Sequence, residues 1–223
     1  MMVDVITMLS AWEMRTHGQA ALRVVGVPFG GSERAMQMLV WSHAVQGGAV
    51  EFLIEHTDRL APTVALNVVV ESSTEITLDA NGQSLLTAGP AAIDLAVAMA
   101  VSEGSGAVVV QGTFGYRFGA EMAWRGAAHG TPTEVTTPEA TWRATGRELL
   151  IANGHGSDLT IRCGPAVTHS GEPVDVASRL TAAERRGYRT ETNAAARFLE
   201  LGHRLWLPSS ARSRAQGSEG DQA

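Results

Sequence analysis

At 223 residues, with 44 % apolar and 18 % charged side chains, the chain is long enough for one domain burying roughly 70–75 % of its unfolded surface and too apolar to remain disordered. A net charge of −6, with acidic residues spread along the chain and no basic run, argues against nucleic acid, because a duplex binder needs a basic face that releases counterions. All 17 basic residues are Arg, which removes Schiff-base and pyridoxal phosphate chemistry and the Lys of a phosphate loop.

Ser10 to Val25 reads as a helix, with Ala11, Met14, Leu22 and Val25 at helical spacing and Gly26 as its stop. After the turn Val27–Gly31, Ser32 is a good N-cap for a second helix that runs to about Val45. Gly47-Gly48 breaks it, and Ala49–His56 continues as a third helical piece. Val64–Val70 and Glu75–Leu78 are β-rich. Asn81-Gly82 predicts a hairpin between Glu75–Leu78 and Ser84–Thr87. Gly89-Pro90 opens a helix over Ala91–Ser102, and Ala107–Gln111 has the continuous apolar pattern of a buried central strand. Arg117–Ala128 is helical. Strand, helix, strand and helix in that order suggest a βαβ crossover.

Beyond Thr131 the texture changes. Glu134–Thr136, Thr141–Thr145, Leu149–Ala152 and Leu159–Arg162 read as short antiparallel strands or hairpins, with Asn153–Gly156 as a hairpin turn. Val176–Arg186 and Glu191–Leu205 are helical. The chain is therefore expected to be mixed α/β, with one main domain over 1–208: N-terminal helices to about 60, a β-hairpin and βαβ-like unit to about 130, then antiparallel strands and C-terminal helices. Ser209–Ala223 lacks apolar anchors and reads as a loose tail.

No apolar run approaches the roughly 20 residues of a membrane span, Ala91–Val101 being broken by Asp94. Met1–Leu9 lacks the charged opening of a signal peptide, and Cys163 alone allows no internal disulfide. A cytoplasmic protein without membrane contact is expected.

The stretch Gly112–Gly119 lies between a buried strand and a helix, where α/β sheets place ligands and where helix amides attract anions. Gly112, Thr113, Phe114, Gly115 and Arg117 are the candidate ligand-facing residues, with Arg117 as a bidentate clamp on a small carboxylate. The glycines also suit a plain tight turn, since their spacing does not match the dinucleotide fingerprint. Glu13 and His17 share a helix face but lack a third ligand, so no metal is expected and a solvated pair is the simpler reading. His43, at the end of the second helix, suits a charged cap on the helix dipole. His155-Gly156-Ser157-Asp158 has the residue types of a hydrolytic triad but not its separation along the chain. Cys163 reads as a buried, inert thiol.

Gly26-Val27-Pro28 before a helix, the Asn81-Gly82 turn and Gly89-Pro90-Ala91-Ala92 form part of a larger pattern. With Gly106–Val110 leading into Phe114-Gly115 and Gly119–Ala123, they resemble the N-terminal half of the malate/L-lactate dehydrogenase superfamily that lacks a Rossmann domain. That group includes sulfolactate, ureidoglycolate and cyclic imino acid oxidoreductases using NAD(P), and the likeness covers Val24 to Gly130. The end of the chain, His203–Pro208 through Ser213-Arg214 and Gly217, is similar to the close of a bacterial family of unknown function about as long as this chain.

The resemblance implies NAD(P) as cofactor, and it also marks departures. The superfamily's Ser-His-Gly motif, with its proton-transferring His, has Gln46-Gly47-Gly48 as counterpart, with Glu51 where an Arg would fall. Its His-Phe-Gly motif appears as Thr113-Phe114-Gly115. Neither Gly nor Thr exchanges protons near neutral pH. The resemblance thus implies a relative without acid/base apparatus, a binding or accessory protein forming a homo-oligomer or pairing with a full-length dehydrogenase subunit. The alternatives are an enzyme with a rebuilt site, using His43 or His129 with Arg117, and a self-associating scaffold without a ligand.

Overall fold

Ser10 fixes the start of the first helix through a reciprocal cap: its hydroxyl accepts from the Glu13 amide, and the Glu13 carboxylate accepts from the Ser10 amide. Such a cap contributes about 1 kcal/mol. The computed structural model describes residues 5–61, 65–168 and 170–205. In it, strand β1 (Ile6–Leu9) precedes helix α1 (Ala11–Val24), followed by α2 (Phe29–Gln46) and α3 (Ala49–Glu55). Helix α2 starts earlier than expected, at Pro28, whose fixed φ and missing N–H suit a helix start. Ser32 lies inside the first turn, and its hydroxyl donates to the Phe29 carbonyl at 2.9 Å instead of capping.

The hairpin is not where the Asn81-Gly82 pair pointed. It is formed by β2 (Asn67–Glu71) and β3 (Glu75–Asp79), and the expected beginning of β2 at Val64 lies outside the described residues. Asn81 and Gly82 do take the left-handed turn conformation, at φ 50° and 76°. The chain then enters helix α4 (Leu85–Glu103), because Ser84 caps it by accepting from the Leu86 amide at 3.2 Å. Pro90 therefore sits inside the helix and not at its start.

Strand β4 (Gly106–Gln111) returns parallel to β3, which completes the expected βαβ unit. A 3-10 turn (Tyr116–Phe118) leads into α5 (Gly119–Ala128), and β5 (Thr133–Thr136), β6 (Ala140–Thr145) and β7 (Glu148–Asn153) form a meander. The next strand, β8 (Leu159–Cys163), does not pair with β7. It crosses back and inserts between β4 and β5, antiparallel to both, so Asn153–Gly156 is a crossover loop and not a hairpin turn. With β9 (Glu172–Pro173) at one edge, the eight strands run β2-β3-β4-β8-β5-β6-β7-β9. After α6 (Val176–Arg186), strand β10 (Tyr188–Glu191) pairs with β1 in a separate two-stranded ribbon, and α7 (Thr192–Arg204) packs across α1. The fold is mixed α/β, as expected, with β1, β9 and β10 added. The expected tail, Ser209–Ala223, lies outside the described residues.

Helix α4 is 19 residues long with a mean hydropathy of 1.7, enough by length and composition to cross a membrane and longer than the run read from the sequence. Its role here is that of a core helix. Leu85, Leu86, Ala92, Ile93 and Ala96 are buried, and the helix packs on β4 and α5. Its outer face carries Asp94, which holds Arg34 of α2 in a bidentate pair at 3.0 and 3.1 Å.

Candidate functional site

One of the two departures from the dehydrogenase motifs, the Gly47-Gly48 corner, is met in space by Arg117, four residues after Thr113. Helix α2 ends at Gly47 and α3 is entered through Gly48, both at positive φ (75° and 70°) that favours glycine. The guanidinium of Arg117, carried on the 3-10 turn after β4, lies so close to Gly48 that a Cβ there would overlap it. Arg117 Nη1 donates to the Gly47 carbonyl at 3.4 Å, and its plane sits 5.8 Å from the centre of the Phe52 ring. Arg117 thus covers an orphan helix-end carbonyl, a structural duty beside which the expected clamp on a ligand stays an expectation.

The Gly112–Gly119 loop does stand at the C-terminal ends of β3 and β4. It is held by its own backbone: Phe114 O accepts from the Leu85 amide at 2.8 Å, and the Thr113 hydroxyl donates to the Gln83 carbonyl at 2.8 Å. Gly112 abuts the Asp79 carboxylate and Gly115 the Phe52 ring, so both glycines permit close approach.

His43 is buried, and both ring nitrogens are engaged. Nδ1 accepts from the amides of Ala49 and Val50 at 3.1 and 3.3 Å, the first turn of α3, and Nε2 faces the Thr190 hydroxyl at 2.9 Å. That pattern requires a neutral ring with its proton on Nε2. Burial holds its pKa below the ordinary value, against the pull of Glu51, whose Oε2 is 3.7 Å from Nδ1. The expectation of a charged ring on the α2 dipole is corrected: His43 is a neutral cap on α3, with both ring nitrogens engaged inside the protein. His129 is exposed at the far end of α5, about 15 Å of helix from Arg117. The two cannot share a small carboxylate.

The remaining candidates separate in the same way. Glu13 is used in the α1 cap, whereas His17 is buried against Trp12, His203 and Gly202, so they are not a solvated pair. Ser157 donates to the neighbouring Asp158 at 3.0 Å while the His155 amide bonds the Thr137 carbonyl, which is loop bonding and no triad. Cys163 is buried, with its thiol pKa raised by burial, as expected of an inert side chain. Among the described residues no group of three His, Cys, Asp or Glu is arranged to hold a metal.

One imidazole was passed over in the sequence. His56 follows α3, and its Nδ1–H donates to the Phe52 carbonyl at 3.0 Å, with Nε2 making no hydrogen bond to another described residue. Its ring stacks on Phe52 at 4.4 Å and lies 5.4 Å from Phe114, whose face carries Arg59 at 4.1 Å. The spacing of Phe52 and His56, four apart on a helix, was the available signal.

No family model matches the sequence, and no curated protein is similar to it in sequence. The fold does have counterparts. The malate dehydrogenase of Pyrococcus horikoshii OT3 matches with a TM-score of 0.71 at 10 % identity, over 91 % of this chain and 97 % of that one. A dehydrogenase from Sinorhizobium meliloti gives 0.68 at 11 % identity, over 89 % and 100 %. The sulfolactate dehydrogenase of Methanocaldococcus jannaschii gives 0.51 at 14 % identity, over 87 % and 68 %. The fold is that of malate/lactate dehydrogenase-like proteins. The likeness over 24–130 is borne out, and the matched part of the chain also takes in the antiparallel strands and C-terminal helices.

Proposed function

We propose that this chain keeps a dehydrogenase-type fold to bind a small carboxylate without transferring hydride, as a homo-oligomer or beside a full-length dehydrogenase subunit. The observation that carries this reading is the closure of the Gly47-Gly48 corner by Arg117. Where the resemblance puts a proton-transferring His there is a glycine, and a guanidinium fills the space beside it. At the second motif the Thr113 hydroxyl is committed to a backbone carbonyl. The residues present therefore do not fit the acid/base partner that NAD(P) chemistry on a carbonyl or hydroxyl needs. Malate and sulfolactate, named for two of the structural neighbours, are small carboxylates. The purified protein, given NADH or NADPH with a panel of 2-oxo acids and cyclic imines, is expected to show no oxidation above background. Sustained turnover would overturn the reading.

A rebuilt enzyme is the second reading, favoured by the Nε2 of His56, which has no hydrogen-bond partner among the described residues and lies beside Phe114. Should any turnover be found, His56→Ala is expected to lower it about 100-fold or more, as loss of a general acid or base does. Activity that survives the change removes His56 from the chemistry.

A further inference from the structure

A cleft of about 430 Å³ opens between the end of α2, helix α6 and the β1–β10 ribbon. Met8, Val45 and Ala182 contribute apolar wall, Arg179, Arg186 and Arg189 border it, and no acidic residue lines it among the described residues. In a chain of net charge −6, three guanidinium groups around one apolar recess call for an account.

One of the three has a local duty. Arg179 Nη1 donates to the Val45 carbonyl, and Arg117 takes the Gly47 carbonyl. Two cations thus already meet the negative end of the α2 dipole. The side chains of Arg186 and Arg189 make no hydrogen bond or ion pair with another described residue and are exposed. Arg189 lies directly across the ribbon from Met8, which is 48 % exposed. A free planar cation beside an uncovered thioether fits a ligand with a charged head and an apolar body.

We infer that this cleft binds an amphipathic carboxylate, a short aliphatic acid whose carboxylate pairs with Arg186 and Arg189 while its chain lies along Met8, Val45 and Ala182. This rests on the reading of the chain as a carboxylate binder, and it moves the ligand from the Gly112–Gly119 loop to the far side of the α2 terminus. A forked guanidinium pair fixes the head, and the recess removes methylenes from water at roughly 0.8 kcal/mol for each one fully buried.

Calorimetry with hexanoate, acetate, 1-hexanol and lactate as probes tests it. Hexanoate is expected to bind at least about tenfold more tightly than acetate or 1-hexanol, since each lacks one half of the interaction. Arg186→Gln with Arg189→Gln should weaken hexanoate about tenfold or more at an unchanged melting temperature, both side chains being exposed. Met8→Asp, with the arginines intact, should do the same by placing a carboxylate against the ligand. Hexanoate affinity that survives both variants puts the ligand elsewhere and leaves the carboxylate-binding reading standing. Binding of lactate but not hexanoate has the same meaning. A wild-type protein that binds none of the three acids sinks this site and the functional reading together.

Discussion

Phe118→Ala is expected to lower the free energy of unfolding by about 3–5 kcal/mol, the cost of emptying a large buried aromatic site. Phe118 is 0 % exposed and meets Phe52 edge-on at 5.2 Å. It belongs to the 3-10 turn that joins β4 to α5, and that turn packs on α2 and α4. The cavity would therefore open where the helical and sheet halves meet, with rigid elements on every side that cannot collapse into it. Against a total stability of roughly 5–15 kcal/mol for a domain, the loss is a large share. Urea unfolding should show a lower midpoint at an unchanged slope. Phe118→Leu, which keeps most of the volume, should cost below about 1.5 kcal/mol. A loss under about 1 kcal/mol for the Ala variant would mean that the turn is not packed rigidly between α2 and α4. Arg117 immediately precedes Phe118, so the same variant also tests whether the anchor holds the guanidinium over Gly48.

Most of the helices and the central strand were legible because their signals are local. Ala107–Gln111 is apolar without alternation, and β4 is paired on both edges, with Val108 and Val110 fully buried. The insertion of β8 between β4 and β5 was not legible. It depends on a pairing between Leu159–Cys163 and strands some 50 and 25 residues earlier, which no local pattern encodes. The Asn81-Gly82 turn shows the boundary between the two cases. Its backbone conformation was read correctly, yet a turn does not say whether the chain comes back as a strand, and the Ser84 cap decided for a helix. Pro90 misled because a helix tolerates Pro near its start, whereas here its missing N–H is the one that would have bonded Leu86.

Residue types at the site were legible, but their duties were not. Gly47, Gly48 and Thr113 could be read as unable to carry a proton. That Arg117 would turn to a carbonyl and not outward depends on where α2 happens to end. His43 carried the opposite sign from its reading. A histidine near a helix C-terminus favours the charged form, but the next helix begins close enough to offer its amides to the same ring, and amides select the neutral form. His56 went unremarked because its significance lies in a hydrogen bond to Phe52 and in the distant Phe114, not in any motif.

Lowering the pH is expected to destabilise the protein steeply below about 6.5. His17 and His43 both have pKa values held below the ordinary 6.5, in each case first by burial. For His17 the neighbouring His203 acts in the same direction and Glu13 against it; for His43 Glu51 opposes the shift and Arg117 adds to it. The unfolded chain therefore takes up two protons near pH 6.5 that the folded chain refuses until lower pH. Stability is complete above 6.5 and falls as the pH drops, by up to about 1.4 kcal/mol per pH unit for each group, or about 2.7 for the two. Glu121 opposes this trend. Burial raises its pKa above the ordinary 4.5 despite the Arg125 ion pair, so the folded state gains by protonating it in the window above 4.5. The steepest loss should thus lie just below pH 6.5. Urea midpoints measured from pH 8 to 5 should show it, and His17→Leu, which removes one of the two titrations, should cut the slope to about half. Equal stability at pH 7.5 and 5.5 in a Glu121→Gln background, where the opposing carboxyl is gone, would mean that neither imidazole is held neutral, and with it the assignment of His43 as a neutral cap on α3 would fall.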